Sequence, residues 1–515
     1  MVEDVFQNLV DQFSDPFTCL RELVQNAMDA GTESIDINTR YLEDPGGVVL
    51  EVRDFGEGMT RDIISGKLTR LFSSDKEDDL TKIGKFGIGF VSVFSLKPEL
   101  VTVDTGRDGE YWRIAFDGGT DFQLFELHEP IEGSSIKIYK LLAFDKLDEF
   151  VERSHQTLSR WCRHSHVDIF FNGELLNRPM EVRSECRVTV THPLGQFSAG
   201  LTKDSPSSFG FYNTGLTLSE GRTEEQPGVA FKILSNHLEH TLARDAVIFD
   251  ENYEKVMARL EDIVSKDLFT RLCQQLCSDP EEREKTAELA QPYLRARYSK
   301  LTREQKKQAF FLDIYGDHVS LEQLADCAKE ETRFFVTNQQ TELSLRAKRE
   351  GIPVLALPLK SASAALLRSL FGVRVVALEQ NLAVSREVER SRGLKSVESY
   401  VKGLLREGRI HVRSLVPVEY PHSTPNLSQS PCTFALGSDR LVRRFRKGFW
   451  GSKYLLPQQL LLDVHHPLVR KALSRAESPS GAKLAAYVLC KVALLNDGLS
   501  PSTEERLLKS LVGRS

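Results

Sequence analysis

The chain has 515 residues, 41% hydrophobic and 27% charged, the balance of an ordinary water-soluble globular protein. At roughly 100 to 200 residues per domain, it has room for about three or four. A formal net charge of -6 excludes a global electrostatic drive toward nucleic acid or an anionic membrane and leaves only local patches for such partners.

The opening MVEDVFQNLVDQF is acidic, with neither a basic leader nor an apolar h-region, and no later run approaches the length of a bilayer span. The eight cysteines are scattered, as suits a reduced compartment rather than a disulfide scaffold. A cytoplasmic protein without membrane contact is expected. Residues 1–30 predict two short helices broken near Ser14-Asp-Pro16, the second capped by Ser14 or Asp15 with Pro16 in its first turn. In that second helix Leu23, Val24, Ala27 and Met28 recur at helical spacing. Glu22, Asn26 and Asp29 fall at i, i+4 and i+7, so two carboxylates and an amide share one face.

The β-rich runs SIDINTR, GVVLEVRD, LVTVDTG, YWRIAFDG, FQLFELHE and SSIKIYK follow, predicting a layer of helix on sheet. From about residue 146 a helix (FDKLDEFVERSHQTLSRW) leads to a second strand cluster of VDIFFNG, CRVTVTH, SFGFYNTG and VAFKILS. Between them, Cys162-Arg-His164-Ser-His166 has no second ligand pair at a zinc-site spacing, which favours a helix end running into a strand over a metal site. Tyr253, Val256, Met257, Leu260, Ile263, Val264 and Leu268 then keep the spacing of a long amphipathic helix, with a breaker at Ser278-Asp-Pro280. A compact α/β unit is expected over about 305–380 (FFLDI, FFVT, VLALPL, VRVVAL). Strands, the loop YPHSTPNLSQSP and closing helices complete the chain.

Two glycine-containing stretches carry further chemistry. Asp54-Phe-Gly56-Glu-Gly58-Met59 follows a strand, where a carboxylate can accept from an exocyclic amine, glycines let backbone pass close to a flat ring, and Met59 can pack on it. By itself it reads first as a tight turn after a strand. Gly84-Lys-Phe86-Gly87-Ile-Gly89-Phe90 puts unencumbered amides before the helical run FVSVFSL, a setting that attracts phosphate. It is neither a Walker loop nor a dinucleotide fingerprint.

The order ELVQNAMDA, DFGEGM, GKFGIGF, with the polar segment LFSSDKEDDLTK before the third, closely resembles the nucleotide-binding domain of the GHKL ATPases: heat-shock protein 90 chaperones, gyrase B subunits, MutL and histidine kinases. Gly133-Ser134-Ser135-Ile136 sits where that family has a Gly-Thr-x-Ile strand. The resemblance implies an α+β Bergerat fold binding ATP and Mg²⁺. Glu22 would be the general base toward the γ-phosphate water, and Asn26 would ligate Mg²⁺. Asp54 would accept from the adenine amino group, with Gly58 and Met59 lining the base. Gly84, Phe86, Gly87 and Gly89 would wrap the phosphates, Asp29 would support ribose or water contacts, and Ser134 would line the pocket.

Among the branches, a first motif starting near residue 22 leaves no room for the helices that histidine kinases place ahead of it, and no acidic DxD cluster of the strand-cleaving kind is found. QPGVAFKILSNHLEHTLARDAV resembles the middle domain of heat-shock protein 90, which implies that Arg244 enters the nucleotide pocket and engages the γ-phosphate. LLLDVHHPLVRKAL and the helices after it resemble the C-terminal dimerisation region of bacterial members, with Leu484, Tyr487, Val488, Val492 and Leu495 as an apolar seam. Glu33 stands near where many relatives have lysine.

The expected domains are therefore an ATP-binding domain (1–145), a catalytic-arginine part of a middle domain (146–285), its small α/β part (286–385) and a dimerisation domain (386–515). The expected function is an ATP-dependent chaperone clamp that closes as a homodimer on unfolded or partly folded clients. A DNA-associated GHKL ATPase of repair, chromatin or phage-defence type, or an ATP-gated scaffold, is the alternative. The segment 440–454, with Arg440, Arg443, Arg444, Arg446 and Lys447 among Phe445, Phe449 and Trp450, reads as a solvated face, a surface for unfolded chains, or a nucleic-acid contact.

Overall fold

The computed structural model describes residues 6, 10, 15–68, 89–119, 121–241, 246–331, 333–407, 412–420, 430–435, 441–443, 458–495 and 501–512. The chain divides into two compact units, Met1–Leu268 and Phe269–Ser515.

In the first unit, Asp15 is the cap expected near Pro16: its Oδ1 accepts from the Phe17 N–H at 3.1 Å, opening a 3₁₀ turn, Pro16–Thr18, that runs into helix α1, Cys19–Asp29. Leu20, Leu23, Val24, Ala27 and Met28 are buried, each of the larger ones contributing about 1.5–3 kcal/mol of apolar burial. An eight-stranded mixed sheet lies against this face. Its strands are β1 (Ser34–Leu42), β2 (Gly47–Asp54), β3 (Leu100–Arg107), β4 (Glu110–Phe116), β5 (Phe122–Glu126), β6 (Gly133–Leu141), β7 (Asp168–Phe171) and β8 (Glu174–Leu175). Their order is β5-β4-β3-β6-β2-β1-β7-β8. Ile35, Ile37, Leu50, Val52, Val101, Val103 and Ile138 meet α1 and a second helix, α2 (Leu147–Cys162), in one core. This helix-on-sheet layer is the α+β class expected.

One strand falls elsewhere than its sequence position suggests. VDIFFNG, expected in the second strand cluster, forms β7, which adds to the first sheet parallel to β1 with Ser34 opposite Asp168 and Ile37 opposite Phe171. Helix α2 crosses the sheet and returns the chain to the exposed edge of β1, where Ile169 and Phe171 bury their side chains in the same core.

The remaining strands of the unit, β9 (Arg187–His192), β10 (Gly195–Leu201), β11 (Ser207–Asn213), β12 (Leu216–Thr223) and β13 (Val229–Leu234), form a separate sheet in the order β12-β11-β13-β10-β9. The predicted amphipathic helix begins as α3, Glu251–Ile263, capped by Asp250, with Val256, Leu260 and Ile263 buried.

In the second unit, the Ser278-Asp-Pro280 breaker is a helix start: Asp279 caps Pro280–Arg297. A three-stranded parallel sheet has Arg333–Val336 between Val354–Leu355 and Arg374–Ala377. Toward the C-terminus a four-stranded sheet shares a core with helices Arg392–Glu407, Pro467–Ser474 and Pro479–Leu495. All eight cysteines are free thiols. No helix among the described residues is long and apolar enough to cross a membrane.

Candidate functional site

The polar face of α1 carries Glu22 and Asn26, both half-buried, while Asp29 one turn further is exposed. Asp29 Oδ1 accepts from Gln25 Nε2 at 2.8 Å. Among the described residues, neither Glu22 nor Asn26 spends its side chain on a hydrogen bond within the protein. A half-buried amide and carboxylate one turn apart, open on one side, are suited to a ligand rather than to the core.

The second motif is tied directly to the end of α1. Ala30, the C-cap residue, accepts at its carbonyl from the Glu57 N–H at 2.9 Å. Thr32, which is buried, accepts at Oγ1 from the Phe55 N–H at 3.0 Å. Asp54, the last residue of β2, is only 7% exposed. Burial pushes its carboxyl above the ordinary carboxylate range, while the N–H groups of Gly56 and Ser134 pull it back. One oxygen, Oδ1, accepts from the Gly56 N–H at 2.9 Å. The result is a buried carboxylate acceptor at the end of a strand, beside a backbone that turns sharply away. Gly58 makes that turn at φ 66°, where a Cβ would overlap the carbonyl oxygen of Gly106. No other residue fits so close a crossing of two chains.

Ser134, on β6, lies opposite Asp54 on one side and Thr105 of β3 on the other. Ser134 Oγ and Thr105 Oγ1 are 3.0 Å apart. Thr105 Oγ1 also accepts from the Met59 N–H at 2.9 Å and lies 3.2 Å from the Gly133 carbonyl oxygen. Thr105 therefore fixes Met59 at the edge of the Asp54 turn. Sequence reading placed Thr105 in a strand but gave it no part in the site. The register that sets it against Ser134 is its only signal, and a single strand does not display its partner.

The third motif meets the first at Gly89. A Cβ there would stand 3.0 Å from Glu22 Oε2, so any side chain would crowd the carboxylate. Gly89 opens the helical turn 89–91, which tightens into a 3₁₀ segment, Ser92–Leu96. Gly84, Phe86 and Gly87 lie outside the described residues, as do the preceding polar segment 69–83 and Arg244. The structure thus brings Glu22 to Gly89 directly, and the α1 terminus to the Asp54, Gly58 and Met59 turn. Glu33 is exposed.

An amide oxygen beside one carboxylate is a sparse donor set for a divalent cation. It suits Mg²⁺, which keeps several waters and is carried in by phosphate oxygens, and does not amount to a dedicated protein cage. Among the described residues no group of three His, Cys, Asp or Glu side chains could hold a metal by itself. In the Cys162/His164/His166 segment the side chains are engaged within the fold, His166 Nδ1 lying 3.2 Å from the Thr214 carbonyl oxygen. Cys162 is buried, its thiol pushed up to about 12 by burial. His164 faces the Arg178 carbonyl through Nδ1 (2.9 Å) and Lys232 Nζ through Nε2 (2.9 Å).

Residues 14–157 match the family model described as "Histidine kinase-, DNA gyrase B-, and HSP90-like ATPase". Similar curated proteins fall into two groups. DNA mismatch repair protein MutL of Shewanella frigidimarina is 28% identical over 183 residues, 34% of this chain and 27% of that protein. Chaperone protein HtpG of Idiomarina loihiensis is 25% identical over 189 residues, 30% of this chain and 29% of that protein. HtpG of Anaplasma phagocytophilum is 31% identical over 213 residues, 37% of this chain and 32% of that protein. The matched part is thus about a third or less of each relative's length.

Proposed function

We propose that this chain, which carries a GHKL ATPase domain over residues 14–157, is an ATP-hydrolysing conformational clamp of the heat-shock protein 90 type acting on unfolded or partly folded proteins. The observation that carries the reading is the convergence of Glu22, Gly89 and the Asp54 turn around α1. Asp54 accepts from the amino group of adenine, with Gly58 and Met59 along the base and Ser134 behind the carboxylate. Gly84, Phe86, Gly87 and Gly89 present backbone amides to the phosphates, Asp29 serves ribose or water, and Asn26 gives its amide oxygen to Mg²⁺. The cation, when bound, neutralises charge between the phosphates. Glu22 orients water and takes its proton, and Gly89 leaves room at its oxygen for that water.

Arg244 completes the site by stabilising charge on the γ-phosphate. Hydrolysis is then slow, because the pocket is complete only when the arginine segment is docked.

The C-terminal unit supports a homodimer. On Pro479–Leu495, Ala482, Ala485, Ala486, Leu489, Cys490, Ala493 and Leu494 fill the core. Leu484 (47% exposed) and Leu495 (55%) face outward, with Tyr487, Val488 and Val492 half-buried. Tyr487 packs against that core, so the outward Leu484 and Leu495 are the part of the seam that supports a partner.

The similarity to MutL proteins favours a second reading, a DNA-associated ATPase, with the basic-aromatic segment 440–454 as the contact. Of that segment only 441–443 is described, as a strand pairing with Leu382–Val384. ATP turnover measured with an unfolded protein and, separately, with duplex DNA distinguishes the two. The clamp predicts a changed rate with unfolded protein and none with DNA. Stimulation by DNA alone, lost on neutralising Arg443, Arg444 and Arg446, transfers the assignment to the second reading.

A further inference from the structure

Beside Glu22 stands a buried cation to which the ATPase reading above gives no role. Arg21 precedes Glu22 in α1 and is 4% exposed. Its guanidinium lies over the indole of Trp161, 4.6 Å from the ring centroid, and the guanidinium of Arg160 lies over the same ring at 4.9 Å. Trp161 belongs to the last turn of α2, which packs along α1.

That last turn is also where the second sheet is fastened. The Arg160 carbonyl accepts from Thr217 Oγ1 of β12 at 2.8 Å. Two residues past Trp161, Arg163 pairs with Glu220 of the same strand, and Ser165 Oγ lies 3.6 Å from Met28 Sδ on α1. A stretch of six residues therefore touches α1 on one side, through the indole and Ser165, and β12 on the other.

We propose that Trp161 is a positioning residue for Glu22: its ring face holds Arg21, and so fixes the rotation of α1 about its axis relative to the second sheet. Side chains at successive helix positions project about 100° apart. A rotation of α1 that moves Arg21 off the indole therefore also moves Glu22 relative to Gly89. A carboxylate that must line up a water is sensitive to such a displacement, because misplacement of about 1 Å costs on the order of 100-fold in rate. Nucleotide affinity depends chiefly on the Asp54 turn and is spared. The β12 end of the relay ties this alignment to the sheet whose β13 leads toward the Arg244 segment.

This inference rests on the ATPase reading above. Its test compares Trp161→Leu, which keeps apolar bulk but has no π face, with Trp161→Phe, which keeps a face for the cation. ATP turnover is measured in both, with binding of a non-hydrolysable ATP analogue measured alongside. Trp161→Leu is expected to lower kcat at least tenfold with analogue affinity within threefold of the wild type, and Trp161→Phe to recover at least half of wild-type kcat. A Leu variant with wild-type kcat, a Phe variant as impaired as the Leu variant, or loss of analogue binding in step with kcat overturns the inference. A wild-type protein that binds the analogue without turnover removes the ATPase reading itself, and this inference with it.

Discussion

A single hydroxyl at Thr105 holds the turn from Asp54 to Met59 in place. It is fully buried, accepts from the Met59 N–H, and meets both Ser134 Oγ and the Gly133 carbonyl. Removing an acceptor while leaving its donor buried costs about 1–3 kcal/mol. Thr105→Val keeps the shape and removes the acceptor, so ATP affinity is expected to fall roughly five- to 150-fold, the factor equivalent to that energy. Ser134→Ala, which leaves Thr105 bonded to Met59, is expected to lose less. Equilibrium titration with the nucleotide checks both, and wild-type affinity in Thr105→Val contradicts the role given to the hydroxyl. Asp54 acts by a different route: it is a buried carboxylate kept as an acceptor by backbone N–H donors.

At the scale of elements, the junction between α2 and the second sheet is polar and enclosed. His164 is buried against Tyr212 in an edge-on contact at 4.8 Å and faces Lys232 of β13. Arg163, at the end of α2, and Tyr212, on β11, both bond Glu220 of β12. Burial first, and then the Lys232 and Arg163 cations, bring the His164 imidazole down to about 4 from 6.5, against the opposing effects of the Arg178 carbonyl and Glu220. Because the folded value lies below the unfolded one, the unfolded chain binds more protons between pH 6.5 and about 4. The stability from the neutral imidazole is therefore complete above pH 6.5 and lost as the pH falls toward 4. Its slope is at most about 1.4 kcal/mol per pH unit. Denaturant unfolding across that window should show a shallower pH dependence in His164→Gln than in the wild type; parallel curves would contradict the neutral assignment.

Much of this scale was legible in the sequence, for reasons that differ between elements. The apolar spacing of Leu23, Val24, Ala27 and Met28 predicted α1 because its periodicity is local, and Asp15 and Pro16 announced its start. The same spacing put Glu22 and Asn26 on the open face. The parallel pairing of β7 with β1 was not legible, because it joins segments more than a hundred residues apart and either sheet could have taken an apolar strand. Thr105 escaped for the same reason, as did the contact of Arg21 with Trp161, which needs α2 packed against α1. The glycines were legible as punctuation only: Gly89 gains its meaning from Glu22 Oε2, beside which a Cβ would stand.

For the whole molecule, the proposed chemistry is divided between two parts of the first unit. In the function proposed above, the ATPase domain supplies the pocket and the segment following β13 supplies Arg244. Binding without the arginine leaves the γ-phosphate charge unanswered, so turnover reports whether the two parts act together, and nucleotide affinity alone does not. The measurement that tests this most directly is steady-state ATP hydrolysis by the wild type, Glu22→Ala and Arg244→Ala, with nucleotide binding measured on each. The expected result is slow hydrolysis by the wild type, a loss of about 100-fold or more in Glu22→Ala, as for removal of a general base, a comparable loss in Arg244→Ala, and binding retained in both. Wild-type rates in Glu22→Ala would contradict hydrolysis at this site, and a silent Arg244→Ala would contradict the clamp.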